Sequence, residues 1–259
     1  MAESLSRPAH ALGSAIAFFL FAAAVIPLSL LVFPLLYLLP SSRHTRELRA
    51  QRIVQWTFRC YCAALSALRV ASVRVEGVER LRAPGPYVVI SNHPTLLDVV
   101  ILGSLRAQLD CVAKRSAWSN PFMAGVIRAT GYLPNDAGPL LVDACTARLR
   151  AGRSLLIFPE GTRSPAGDLH PFRRGFAHVA LRATAPILPV CIRCDPPALG
   201  KERRWWQMPN ETLRYTIEIG EAIDPGGLVP QHGGRGATAR RVTAALRDFY
   251  LKKLHYTPG

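Results

Sequence analysis

The chain has 259 residues and a mass of 28.4 kDa, room for one sizeable core and an appendage. Hydrophobic residues make up 49% and charged residues only 19%, with a mean hydropathy of +0.16, which excludes a disordered chain and points to lipid. The 32 Lys and Arg against 17 Asp and Glu leave a formal net charge of +15, suited to nucleic acid or an anionic membrane face. Charge and hydropathy together favour the membrane.

From Pro8 to Ser42 there is no Lys, Arg, Asp or Glu. Residues 11–39 form an apolar run longer than the roughly 20 residues that cross the hydrocarbon core as a helix. Pro27 and Pro34 are expected to kink it, so a bent span and a hairpin held in one leaflet both fit. A secretory signal is the rival reading; the run is too long for one, and no clear small-residue cleavage site closes it. Arg43, Arg46, Arg49 and Arg52 follow, opposed only by Glu47, a flank that predicts a cytoplasmic position for the rest of the chain. Residues 53–73 are apolar and aromatic, interrupted by Arg59 and Arg69. They fit an interfacial helix carrying Trp56, Phe58 and Tyr61, or a core helix of the domain that follows.

Beyond Val73 the pattern changes to short β-branched runs alternating with helical stretches. Strands are predicted at 73–78, 87–92, 109–114, 154–159, 187–192 and 213–223. Helices are predicted at 94–106, 119–130, 140–151, 175–184 and 237–254, and the glycines of 226–236 predict a loop. The fold class is therefore α/β, a mixed and largely buried sheet flanked by helices and preceded by a membrane-associated helical segment. Cys60, Cys62, Cys111, Cys145, Cys191 and Cys194 are scattered through apolar stretches, as buried thiols in a reducing compartment would be. Cys191 and Cys194 have metal-ligand spacing but no matching second pair, so no metal site is expected.

Two strand ends carry chemistry. Asn92-His93-Pro94-Thr95-Leu96-Leu97-Asp98 presents a histidine where open α/β sheets place their ligands. Asp98, expected about one turn into the next helix, could reach back to the imidazole and fix its tautomer. An oriented base with no Ser or Cys nucleophile beside it suits activation of a substrate hydroxyl, although a satisfied surface histidine has the same spacing. Pro159-Glu160-Gly161-Thr162-Arg163-Ser164 offers amides, hydroxyls and a guanidinium to an anion. A structural turn explains its Pro and Gly but not the flanking Glu160 and Arg163.

NHPTLLD and FPEGTRS, in this order, resemble motifs of the glycerolipid acyltransferases typified by 1-acylglycerol-3-phosphate acyltransferase. Residues 112–133, 171–181 and 185–190 resemble further blocks, so the likeness covers about residues 75–220. The resemblance implies His93 as base and Asp98 as its orienter. It implies Glu160, Gly161, Thr162 and Arg163 in acceptor binding, and Lys114 near the reacting carbonyl or acyl donor. Residues 1–72 would then be the anchor and interfacial helices, and 73–259 the catalytic domain.

The implied reaction moves a fatty acyl group from a thioester, acyl-CoA or acyl-carrier protein, to 1-acyl-sn-glycerol-3-phosphate. It needs no cofactor beyond that co-substrate. Membrane lipids are the expected partners and nucleic acid is not; the expected place is the cytoplasmic side of the inner membrane. One departure stands out: where family members read Gly-x-Ile-Phe-Ile-Asp-Arg, this chain reads Gly131 to Ala137, without the arginine that helps hold the acceptor phosphate. That keeps open another acceptor, such as a lyso-ornithine lipid or a specialised lipid or pigment. A non-catalytic membrane-binding or nucleic-acid-binding module is the reading from a different class, and His93, Asp98 and Glu160 speak against it. Lys201, Arg203 and Arg204 beside Trp205-Trp206 fit either a headgroup contact or a solvated loop.

Overall fold

A computed structural model describes residues 7–120, 123–135, 138–200, 209–230 and 233–255. In chain order the helices are α1 (Arg7–Pro27), α2 (Phe33–Leu38), α3 (Arg43–Ala67), α4 (Val78–Arg82), α5 (Asp98–Leu105), α6 (Arg115–Trp118), α7 (Ala124–Thr130), α8 (Pro139–Arg150), α9 (Gly175–Ala183) and α10 (Gly234–Leu254). The strands are β1 (Ala71–Glu76), β2 (Val88–Ser91), β3 (Leu109–Ala113), β4 (Leu133–Pro134), β5 (Ser154–Ile157), β6 (Ile187–Asp195) and β7 (Leu213–Ile219). They form one seven-stranded sheet in the order β1-β7-β6-β2-β5-β3-β4. Every neighbouring pair is parallel except β6 and β7. The sheet is mixed, as the sequence pattern predicts.

Central strands read as unbroken apolar runs because both faces are covered. Val89, Leu156, Leu188 and Val190 point into one core cluster with Tyr61 and Leu65 of α3 and Val100 and Ile101 of α5. Val88, Ile90, Leu155 and Ile187 point into the opposite cluster with α8, α9 and α10. The alternation along each strand divides the core in two.

Two predicted helices differ in extent. The one expected at 94–106 begins at Asp98, because the Asp98 carboxylate accepts the Thr95 N–H at 2.8 Å and closes a turn over residues 95–97. The one expected at 119–130 is confined to α7, Ala124–Thr130, and a separate short helix, α6, ends before it at Trp118. Asn120 separates them, its position before a proline disfavouring helical backbone, and it receives the Met123 and Ala124 N–H groups.

The apolar run is helical from Arg7 to Leu38 with no reversal of the chain, so the hairpin reading does not hold. Leu28–Val32 form a π-helical turn after Pro27, and this wider turn carries the helix past the proline. Residues Ala11–Leu38 are long and apolar enough to cross a membrane, and most of the segment is not buried in the protein. Phe19, Leu30, Leu31, Leu35 and Leu38 stand exposed, while Ala17, Val25 and Phe33 are buried against the rest of the fold.

Helix α3 joins this segment to the sheet. Ser42 caps it, accepting the Thr45 N–H at 3.2 Å. Its buried face carries Glu47, Ala50, Gln51, Val54, Tyr61 and Leu65, whereas Trp56 is exposed. The interfacial reading of Trp56, Phe58 and Tyr61 together is corrected: at 3.6 residues per turn the three do not share one face, and Tyr61 lies in the core.

A buried ionic cluster locks α3 down. Glu47 binds Arg148 of α8 and, at 2.7 Å, Arg153, which also pairs with Asp110 of β3. Gln51 donates to Asp110 at 2.8 Å and to the Thr130 carbonyl at 2.9 Å. Gly131, at φ +69°, leaves room for this cluster, since a Cβ there would lie 2.4 Å from the Glu47 carboxyl carbon. Burial alone would raise the Glu47 pKa, but the Arg148 and Arg153 hydrogen bonds outweigh it and hold the group at about 2. Removing one member of a buried ion cluster typically costs about 3–5 kcal/mol, so Glu47→Gln should destabilise the protein by that order. A depressed carboxyl pKa contributes stability above the ordinary carboxylate range and loses it as the pH falls toward 2. Unfolding of wild type and Glu47→Gln in detergent should therefore differ most at neutral pH and converge in acid.

Candidate active site

The exits of β2 and β5 lie side by side, and each carries one of the two motifs. At the β2 exit, Asn92 is buried and grips β6, donating to the Ile192 carbonyl and accepting the Ile192 N–H, both at 2.8 Å. Pro94 keeps His93 out of the helical region. The backbone of His93 is then stitched to the second motif. Its N–H is shared by Glu160 Oε1 (3.2 Å) and Ser164 Oγ (3.1 Å), and its carbonyl accepts the Ser164 N–H at 2.7 Å.

The His93 imidazole stacks on Phe158, ring centres 4.2 Å apart, and places Nδ1 2.8 Å from Asp98 Oδ2. Asp98 is wholly buried and opens α5, where the helix N-terminus favours a carboxylate. Nδ1–H donating to Asp98 leaves Nε2 as the nitrogen that can accept a proton. The side chain of His93 keeps 17% of its surface exposed, on the wall of a cavity.

Glu160 does not line that cavity. Its oxygens accept Ser164 Oγ–H at 2.6 Å, the His170 N–H at 2.9 Å and the His93 N–H already described. Burial pushes its pKa up, and these hydrogen bonds oppose the rise. Asp98 likewise sits behind the cavity wall. His93, Lys114, Gly161, Thr162 and Arg163 are brought together on the cavity itself.

The cavity encloses about 890 Å³, at the upper end of small-molecule sites. Lys114, Arg163 and Arg173 stand on it, and no Asp or Glu is among the described residues lining it. Its apolar walls come from both faces of the sheet: Phe21, Phe58 and Tyr61 on one side, Val112, Cys145 and Val179 on the other. Such a space suits an amphiphile with an anionic head and a hydrocarbon chain. Arg163 is anchored by the Leu199 and Gly200 carbonyls at 2.8 and 3.0 Å. Among the described residues no group of three or more His, Cys, Asp or Glu clusters as a metal site would. Ala137 and the stretch from Lys201 through Arg203, Arg204, Trp205 and Trp206 lie outside the described residues.

Arg173, Phe158 and Asn92 are site residues that the sequence reading does not single out. The Arg173-Arg174 pair, in a block already resembling the family, was the available signal for Arg173. Gly161 makes room for it. The glycine adopts φ +68°, and a Cβ there would sit 2.9 Å from Arg173 Nε.

Comparison with known proteins finds acyltransferases among the relatives of this chain. Residues 72–193 match the family model described as Acyltransferase. The 1-acyl-sn-glycerol-3-phosphate acyltransferase alpha of Mus musculus is 30% identical over 167 residues, covering 61% of this chain and 57% of that protein. The 1-acyl-sn-glycerol-3-phosphate acyltransferase of Saccharomyces cerevisiae is 32% identical over 152 residues, 55% of this chain and 50% of that protein. The chain thus spans about half the length of these curated relatives. The crystal structure of the 1-acyl-sn-glycerophosphate (LPA) acyltransferase PlsC from Thermotoga maritima superposes with a TM-score of 0.69. At 22% identity, over 92% of this chain and 95% of that one, it shares the fold.

Gly161→Ala should be costly on two counts. A left-handed backbone costs a non-glycine residue roughly 1–2 kcal/mol, and the new methyl must displace the Arg173 guanidinium. The expected outcome is a lower unfolding midpoint together with weaker binding of an anionic lysolipid, read by calorimetry and by titration.

Proposed function

We propose that this chain, which matches the Acyltransferase family model over residues 72–193 and is similar to 1-acyl-sn-glycerol-3-phosphate acyltransferases, moves a fatty acyl group from an acyl thioester to the hydroxyl of 1-acyl-sn-glycerol-3-phosphate, giving phosphatidic acid. The observation that carries this reading is the His93–Asp98 pair, 2.8 Å apart, on a cavity that is apolar within and edged by cations.

His93 Nε2 accepts the acceptor's hydroxyl proton as that oxygen attacks the thioester carbonyl. Asp98 stabilises the imidazolium that forms. When the tetrahedral intermediate collapses, the carbon–sulfur bond breaks and the imidazolium returns its proton to the departing thiolate. Atoms and charge balance with acyl-CoA or acyl-carrier protein as co-substrate and with no further cofactor. Arg163 and Lys114 bind the anionic groups of acceptor and donor. Glu160 serves acceptor binding indirectly, by holding the loop that carries Gly161, Thr162 and Arg163.

Helices α1 and α2 hold the protein in the membrane, with the arginines of α3 on the cytoplasmic side of the inner membrane. The domain that starts near residue 73 then works at the surface where its lipids lie. Ala137, at the family's arginine position, favours a second reading in which the acceptor lacks a phosphate monoester, as a lyso-ornithine lipid does.

The deciding experiment offers the purified protein lysophosphatidic acid and a phosphate-free lysolipid, each with acyl-CoA and with acyl-carrier protein. The lipids formed are read by mass spectrometry, and product from lysophosphatidic acid is expected. His93→Ala and Asp98→Asn should each lower kcat by about 10²–10⁴-fold with vesicle binding unchanged, and the unfolding midpoint should be unchanged in His93→Ala. Near-normal turnover in His93→Ala overturns the proposal. Arg163→Gln should raise the acceptor KM about ten- to a hundredfold and the donor KM far less. In membrane fractions the full chain should resist high-salt extraction and come off in detergent; release by salt alone contradicts a spanning anchor.

A further inference from the structure

Asp98 carries a second connection, on the side away from His93. Thr95 Oγ1 lies 2.6 Å from Asp98 Oδ1, and Tyr215 Oη lies 3.0 Å from Thr95 Oγ1. Thr95, Asp98 and Tyr215 are all at most 1% exposed. Tyr215 comes from β7, two places from β2 in the sheet and 120 residues from Thr95 in sequence.

The direction of each bond follows from the donor inventory. A threonine hydroxyl has one proton and two lone pairs, and an ionised carboxylate can only accept. The Leu97 N–H, 3.2 Å from Thr95 Oγ1, can only donate. Thr95 therefore gives its proton to Asp98 and receives from Leu97 and Tyr215, which exhausts its capacity. Burial, with the nearby Cys194 and Asp98, pushes the Tyr215 hydroxyl well above its usual range, so it stays a donor.

We propose that Thr95 and Tyr215 are positioning residues of the active site: a buried relay, Tyr215 Oη–H to Thr95 Oγ1–H to Asp98, that holds the carboxylate in register with the His93 imidazole. This rests on the reading of His93 as the base. Two bonds fix Asp98 Oδ2, from His93 Nδ1 and the Thr95 N–H, and the relay fixes Oδ1. The carboxylate then has no freedom to rotate away from the ring. Hydrogen bonds in series polarise one another in a low-dielectric interior, so the tyrosine strengthens the bond that threonine makes. The relay matters most when His93 carries the proton, in the transition state. Its loss therefore acts on kcat and spares KM. A phenylalanine would fill the same space at 215, so only the hydroxyl is specific to this role.

The test is steady-state kinetics, with both substrates varied, on Thr95→Val, Thr95→Ser, Tyr215→Phe, the double variant Thr95→Val/Tyr215→Phe, and His93→Ala. Unfolding midpoints are measured alongside. Thr95→Val removes a hydrogen bond to a charged group and should lower kcat about ten- to a hundredfold, with both KM values within about twofold of wild type. Thr95→Ser keeps the hydroxyl and should restore most of kcat. Tyr215→Phe should lower kcat about three- to tenfold. In the Thr95→Val background it should add nothing, because the path is already broken. Wild-type kcat in Tyr215→Phe overturns the relay, and so does a loss that carries over in full into the double variant. Inactive His93→Ala beside normal Thr95→Val and Tyr215→Phe removes the relay and leaves the base intact. Active His93→Ala removes both. If Thr95→Val does not fold, Tyr215→Phe decides: a kcat loss with unchanged KM and midpoint supports the relay, and a loss that follows the midpoint overturns it.

Discussion

The buried carboxylate of Glu160 is the point on which this site depends. It gathers polar hydrogens from three separated segments: the His93 backbone, the Ser164 hydroxyl and the His170 backbone. A carboxylate out of contact with water is costly unless its lone pairs are met, so this arrangement binds the loops after β2 and β5 into one piece. The His93 ring, the Gly161 turn and the Arg163 side chain all project from that piece. Their mutual geometry is set by hydrogen bonds on the far side of the cavity wall.

The cavity follows from the sheet. Its parallel central strands are covered on both faces, which leaves their C-terminal ends as the place where a ligand can reach backbone and side chains together. Neighbouring residues at those ends face opposite layers. Val112 and Ile157 turn to one core cluster, Cys111 and Phe158 to the other, and all four line the same space. Apolar walls from two layers meet a cationic rim at the strand tips, a combination that neither layer provides alone.

Helix α3 connects the membrane-facing segment to this machinery. One of its faces packs on the core through Val54, Tyr61 and Leu65, and the other exposes Trp56 and arginines. Glu47 and Gln51 on the buried face reach Arg148, Arg153 and Asp110, under the sheet strands that end at the cavity. Helix α3 is thereby fastened to the sheet layer through ionic and hydrogen-bonded contacts whose geometry is directional, where apolar packing alone would tolerate sliding.

Local pattern was enough to determine six of the seven strands, β4 (Leu133–Pro134) being too short to show, together with the exits of β2 and β5, the apolar N-terminal run and the five-residue step from His93 to Asp98. These features depend on periodicity, turn chemistry and short spacing, which neighbouring residues carry among themselves. Sequence could not show that Glu160 turns inward while Arg163 turns outward, since both sit in the same turn and differ only in what the fold sets against them. Nor could it show that Tyr61 lies in the core, that Arg173 rests on Gly161, or that Tyr215 meets Thr95. Those contacts join residues brought together by strand order and helix packing. Only the tertiary structure chooses among the many partners a buried polar group has along the chain, because its hydrogen bonds must all be met at one point in space.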